Sequence, residues 1–376
     1  MMRSLLGSGW HQSALVPCLI ACQTATVPAL PVLMPLSQDQ NQTLLDQNGI
    51  GVQVWQTTVH VERTVAVEAL PERIWSLLRS AAAWSALPDV TYAFDIAGSP
   101  RGVGHVIVAT GAALDSVGSR LLDVLTVCAE VPGQMISARS AARSGQECVY
   151  VLSIDSGQRD VKVRAAVRQA CARPAKTYEQ ERQQKRLSHW LRALQAILDG
   201  RASWPAEGLS AEIQAVYAAQ AEVTDPVSVS AEVLIKAPAA MVWQAIRSLE
   251  AKRLALQVPY VGRVPGTPQG AVGEIRYVVH RHADNELHVG MTVVRELVAE
   301  RCVREQSVGS LHDELGYVVV PVGEGTRLEV VSRVPVQQFD GGEDRLRTYE
   351  GRLRRRLDSY RALIEEQPGW PADPLT

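Results

Sequence analysis

Two segments far apart in the chain alternate strictly between apolar and polar positions. Val59, Val61, Val65 and Val67 fall on one side, against His60, Glu62, Thr64 and Glu68 on the other. Val227, Val229, Val233 and Ile235 do the same against Ser228, Ser230, Glu232 and Lys236. A period of two predicts a half-buried strand. A proline then follows each run. PERIWSLLRS from Pro71 and PAAMVWQAIRS from Pro238 read as helices, because proline is tolerated in a first helical turn. Trp75 and Trp243 lie on these helices beside Leu78 and Ile246, as anchors fastening helix to sheet.

Glycine-rich loops come next, GSPRGVG (98–104) and PGTPQGAVG (265–273). Neither ends in the GK[ST] of a phosphate-binding loop, so they predict turns. Further alternating runs follow in each half, with turn signals SGQ and GEGT at matching places. Each half closes on an amphipathic helix. Leu187, Trp190, Leu191, Leu194, Ile197 and Leu198 form one stripe, and Leu346, Tyr349, Leu353, Leu357, Tyr360 and Ile364 the other.

The halves are copies. Val61, Val65, Val67, Ala69 and Trp75 map onto Val229, Val233, Ile235, Ala237 and Trp243 at a constant offset of 168, and Pro100, Gly102 and Gly157 keep it. That period far exceeds the ~20–50 residues of a stacked solenoid, so a whole domain is duplicated. The expected fold class is α+β, two tandem domains, each a curved antiparallel sheet wrapped around a long C-terminal helix. The boundaries are a leader at 1–56 read as disordered, domains at 57–199 and 227–366, a connector at 200–226 with a short helix near 209–221, and a tail at 367–376.

Composition narrows the function. A net charge of −2 argues against nucleic-acid binding, and the arginines of RLRRRL are interleaved with Glu343, Asp344, Glu350 and Asp358 as a solvated helix face. No run approaches the ~18 consecutive apolar residues of a membrane span. Six cysteines lack regular spacing and read as thiols in a reducing compartment. The expected localisation is cytoplasmic. The alternative is an exported lipoprotein cleaved at LIAC, Leu19 to Cys22.

Both copies resemble the START-like SRPBCC superfamily, the polyketide cyclase/dehydrase and lipid-transport group, which implies two tandem helix-grip domains. The likeness rests on V-x-V-x-A-L-P-E-x-I-W (65–75), V-x-I-x-A-P-A-A-x-V-W (233–243), the Gly-rich loops, GEGT (323–326) and the terminal helices. The tandem arrangement resembles didomain aromatase/cyclases. Where those carry a Trp-Pro phrase, copy one has Trp84-Ser85-Ala86-Leu87-Pro88 and copy two has LALQVPYVG, without the Trp. The resemblance implies a cavity for a hydrophobic small molecule, polyketide- or terpenoid-like, and activity as a cyclase, aromatase or dehydratase. The alternatives are a non-catalytic carrier or a chaperone-cofactor-like interaction module.

Such chemistry needs a shaped pocket with a few polar groups, and Tyr and Arg suit an enolate. On EIRYVVHRH the face of Ile275, Tyr277 and Val279 is taken as inner, and that of Glu274, Arg276, His280 and His282 as outer. Tyr277 is therefore a pocket candidate, as is Tyr150 by the same parity. Tyr92 and Tyr260 precede the glycine turns, near an expected cavity mouth. Trp190 and Tyr349 lie on the helix stripes, and Arg295 is a lone charge among apolar neighbours. His280, His282 and His288 raise a metal site, but the face argument sends His280 and His282 to solvent, and the side His288 takes depends on the turn length, so no metal and no cofactor is expected. No Ser-His-Asp order supports covalent catalysis.

Overall fold

The computed structural model describes residues 41–45, 51–114, 120–141, 147–156, 161–172, 175–203, 226–281, 287–308, 313–335 and 343–366. LIAC, the connector helix near 209–221 and His282 lie outside these residues.

The first copy opens with β1 (Asn41–Leu45) and β2 (Gly51–Val67), so the sheet begins ahead of residue 57, inside the segment read from sequence as a leader. Helices α1 (Pro71–Leu78) and α2 (Ala81–Ser85) follow. Then come β3 (Val90–Asp95), β4 (Val106–Leu114), β5 (Arg120–Val131), β6 (Met135–Ala141), β7 (Glu147–Ser156), β8 (Val161–Ala172) and the 23-residue α3 (Lys176–Leu198). The second copy repeats the order. It runs β9 (Pro226–Ile235), α4 (Ala239–Arg247), α5 (Leu249–Leu256), β10 (Tyr260–Arg263), β11 (Ile275–Arg281), β12 (Leu287–Val298), β13 (Cys302–Val308), β14 (Glu314–Val322), β15 (Gly325–Pro335) and the 24-residue α6 (Glu343–Glu366).

Each copy is one antiparallel sheet. The orders are β1-β2-β8-β7-β6-β5-β4-β3 and β10-β11-β12-β13-β14-β15-β9. The first strand of each repeat pairs with the last, β2 with β8 and β9 with β15. The bulges coincide as well, between Val127 and Ala129 in β5 and between Val294 and Glu296 in β12. Local chemistry explains the corners. Pro71 opens α1, and Pro238 precedes α4 in an extended conformation. Ser248 caps α5 by accepting from the Ala251 N–H at 3.2 Å.

Three apolar clusters hold the molecule. In the first copy Leu187, Trp190, Leu191 and Leu194 of α3 pack on the inner face of the sheet with Trp84, Tyr150 and Leu152. In the second, Leu353, Leu357 and Tyr360 of α6 pack with Trp243, Tyr317 and Leu328. Trp243 is buried, whereas Trp75 is only half-buried, and Trp84 is the fully enclosed tryptophan of the first copy's short helices. The third cluster joins the copies. Tyr92, Phe94, Val106, Val108 and Val124 from the first sheet meet Ile275, Tyr277, Val279, Met291 and Val293 from the second. Phe94 and Tyr277 lie 5.4 Å apart between ring centroids, and the Tyr277 hydroxyl accepts from the Ala97 N–H at 3.0 Å.

This seam corrects the parity reading of β11. Its apolar side faces the other copy, and its charged side faces inward, with Glu274 and Arg276 buried. An apolar strand face marks a dry side, but a sheet buried on both sides has two of them.

Candidate functional site

The inner face of the first copy carries a polar group on an aromatic floor. Trp84 from α2 and Trp190 from α3 sit 5.3 Å apart, and each meets the Tyr150 ring edge-on. The Trp190 indole N–H donates to the Ala83 carbonyl at 2.6 Å, which fixes that ring. Trp190 is thus a wall of the core. The Tyr150 hydroxyl accepts from Nη1 of Arg186, which lies about three turns into α3. Arg186 Nε in turn donates to Asp89 Oδ1 at 2.8 Å, with the Asp89 side chain 56% exposed at the rim and Arg186 16% exposed behind it.

Three more polar groups line the same region. Ser140 donates to both oxygens of Asp123, at 2.6 and 2.7 Å. Burial lifts the Asp123 carboxyl above the ordinary aspartate range, against the opposing pull of Ser140 and Arg186. Burial pushes the Cys148 thiol up to about 11 and the Tyr150 phenol well above its usual value. At neutral pH Tyr150 is therefore a proton-bearing hydroxyl with a cation against its oxygen. Asp89, Asp123, Ser140, Cys148 and Arg186 were not singled out from sequence. Arg186 was hidden in the polar first half of α3, Asp89 lies in the turn before β3, and Asp123, Ser140 and Cys148 reach the site through strand pairing.

The second copy fills the equivalent space with ions. Glu305 pairs with Val294 just before the β12 bulge, where the first copy pairs Ala138 with Val127. Following the same ladders, Thr292 stands where Leu125 does and Arg276 where Ile107 does. The 168 offset puts Lys252 at the Trp84 position, and the matching helix stripes put Arg356 at the Trp190 position. Arg276 bridges the carboxylates, donating from Nη1 to Glu305 and from Nη2 to Glu274, each at 3.0 Å. Lys252 reaches Glu305 at 2.7 Å, Arg247 reaches Glu274 at 2.9 Å and Arg263 reaches its other oxygen at 2.5 Å. Burial would raise the Glu305 carboxyl, but Lys252 and Arg276 outweigh it and hold it at about 2. Beside this network Arg356 donates to the Tyr317 hydroxyl at 3.4 Å, and Tyr317 meets Tyr360 edge-on.

The other sequence candidates scatter. Tyr277 and Tyr92 are in the seam between copies, and Tyr260 packs against it, so none of the three lines a cavity mouth. Their aromatic faces are spent joining two sheets. Arg295 is no lone charge: its Nε donates to Gln306 at 2.7 Å beside the bulge. The Tyr349 hydroxyl bonds the Ser332 hydroxyl at 2.9 Å on half-buried α6. Of the seven candidates, Tyr150 and Trp190 meet on an inner face, while Tyr92, Tyr260 and Tyr277 gather in the seam. His280 pairs opposite His288 across the β11–β12 ladder, and no group of three metal-ligating side chains occurs among the described residues. The four described cysteines are free thiols.

A surface pocket of about 350 Å³ lies where the end of α1 meets the first glycine loop, lined in part by Arg79, Asp95, Arg101, His105 and Glu130. Here His105 stands between Ser99, 3.1 Å from Nδ1, and Asp95, 3.0 Å from Nε2. The arrangement is no nucleophilic triad. Ser99 Oγ donates its proton to the Ile96 carbonyl at 2.8 Å, and Nδ1 also meets the Pro100 carbonyl at 3.0 Å.

These elements define the class: two tandem copies of an antiparallel sheet packed on a long C-terminal helix, one copy with an aromatic and hydroxyl-bearing interior, the other with an ionic one. No family model and no curated protein matches the chain. Among solved structures it is similar to the di-domain ARO/CYC BexL from the BE-7585A biosynthetic pathway, at 14% identity over 82% of this chain and 99% of that one, TM-score 0.31. It is also similar to the di-domain ARO/CYC StfQ from the steffimycin pathway (10% identity, 82% and 99%, TM-score 0.30). A single copy is similar to the Aha1 dimer from Colwellia psychrerythraea (15% identity, 37% and 96%, TM-score 0.30). No helix among the described residues is long and apolar enough to cross a membrane.

Proposed function

We propose that the first copy binds a hydrophobic carbonyl compound, polyketide- or terpenoid-like, between α3 and the sheet, and that the site serves cyclisation or dehydration. One observation carries this reading: the hydrogen bond from Arg186 to Tyr150 above the Trp84–Trp190 floor, with Asp89 steering the arginine. A tyrosine whose oxygen accepts from a guanidinium is a stronger proton donor to a ligand carbonyl. As an enolate forms, the same pair faces the negative charge in a site with little water, where fixed donors are most effective. The two indole rings, tilted 43° to one another, give an apolar aromatic wall for a ring system or folded chain. Asp123, whose carboxyl burial raises, is held by Ser140 through both oxygens in the same region. Asp89 is a positioning residue, since it acts through Arg186.

Titration calorimetry of the full chain tests this with a planar aromatic ketone and its deoxygenated hydrocarbon analogue. The ketone is expected to bind at least tenfold more tightly. Tyr150→Phe should remove that preference, a loss of about 1–2 kcal/mol for one polarised hydrogen bond. Equal affinity of the two compounds in the native chain would sink the reading. Tight binding with no conversion of any β-polyketone substrate would instead leave a carrier.

A further inference from the structure

We infer that the second copy holds an anionic ligand, a carboxylate or a comparable oxyanion, at the paired guanidinium groups of Arg247 and Arg276. Three observations meet there. The charges do not balance: Arg247, Lys252 and Arg276 are all buried, and only Glu274 and Glu305 oppose them. Arg263 at the rim and Arg356 alongside add more positive charge. An unmatched buried cation costs several kcal/mol, so a compensating anion lowers the energy of this interior.

The donors are also unfilled. Arg247 Nη1 and Arg276 Nε are enclosed and lack any protein acceptor. Both guanidinium groups hold the same Glu274 oxygen through their Nη2 atoms, at 2.9 and 3.0 Å, so each unfilled donor belongs to a group tied to that one carboxylate. Finally, the place itself is informative. Arg276 occupies the position of Ile107 and Lys252 that of Trp84, on the inner face where the first copy carries its floor. Ordinary core divergence exchanges one apolar side chain for another of similar volume. Here apolar positions became cations, and while Arg276 and Lys252 gained carboxylates, Arg356 is held by a tyrosine hydroxyl. Burial lowers Lys252, with Glu305 pulling it up and Arg276 and Arg356 pushing it down. This site is separate from the carbonyl site, in chemistry and in copy.

The test uses the full chain, thermal shift and three probes at fixed ionic strength: 2-naphthoate, the neutral 2-naphthamide and inorganic phosphate. Saturable stabilisation by naphthoate, at concentrations at least tenfold below those the amide needs, supports a carboxylate ligand. Stabilisation by phosphate without naphthoate supports a smaller oxyanion. Either effect should fall at least tenfold in Arg247→Met and stay unchanged in Tyr150→Phe, which separates this site from the first copy's. An effect that survives in folded Arg247→Met overturns the inference. If that variant does not fold, a bromide-soaked crystal of the native chain decides. An anomalous peak between Arg247 and Arg276 supports the site, and water alone at both nitrogens, or no response to any anion, overturns it.

Discussion

At Gly262 the seam between the copies leaves no room for a side chain. A Cβ there would meet the Tyr277 hydroxyl oxygen at 2.1 Å and the ring behind it at 2.3 Å. Gly262→Ala should cost about 1–3 kcal/mol in urea unfolding by overpacking. The cost should shrink markedly in a Tyr277→Ala background, because the clash has one source, and additive costs would contradict this packing. Gly102 is constrained differently, with φ of +93° and a Cβ site 2.8 Å from the Glu130 carboxylate, which sits under the first glycine loop.

Glu305 sets the acid limit of the second copy. Its folded pKa of about 2 lies below the ordinary glutamate value of about 4.3. The stabilisation is therefore full above pH ~4.3 and is lost as pH falls toward 2, worth about 3 kcal/mol. Urea midpoints between pH 5 and 2.5 should drop steeply in the native chain. Glu305→Gln should start lower and vary less over that range, and parallel profiles would contradict the assignment.

Among elements, the strands and the long helices were plain in the sequence, and the direction of their faces was not. The alternation in β2 and β9 and the stripes on α3 and α6 follow from residue spacing alone, since only one periodicity fits each. On β11 spacing separates Ile275, Tyr277 and Val279 from Glu274 and Arg276 correctly, but polarity then points the wrong way. The strand buries its ions against α4 and α5 and gives its apolar side to the other sheet. Nothing within one strand reports a second sheet behind it.

The candidate site shows the same limit. Tyr150 and Trp190 could be read from parity and stripe. Arg186 could not, because an arginine in KRLSHW looks like solvated helix surface until Asp89 and Tyr150 arrive from other elements. Trp84 and Trp190 support one another across α2 and α3. Trp84→Ala should cost about 3–5 kcal/mol, checked by chemical denaturation, and a loss under about 1 kcal/mol would contradict a closely packed floor.

For the whole molecule, the duplication built two related interiors, and the repeated positions then diverged. At the core sites where one copy has Trp84, Ile107, Leu125, Ala138 and Trp190, the other has Lys252, Arg276, Thr292, Glu305 and Arg356. The outer faces stayed apolar enough to dock, so divergence on the inner faces did not cost the seam. A protein of this kind should take one hydrophobic carbonyl ligand per chain, in its first copy. Calorimetric stoichiometry with the planar ketone, on the native chain and on Arg186→Met, tests that most directly. The account predicts one site per chain in the native protein and none at the same concentrations in Arg186→Met. Two equal sites, or one undisturbed by that substitution, would contradict it.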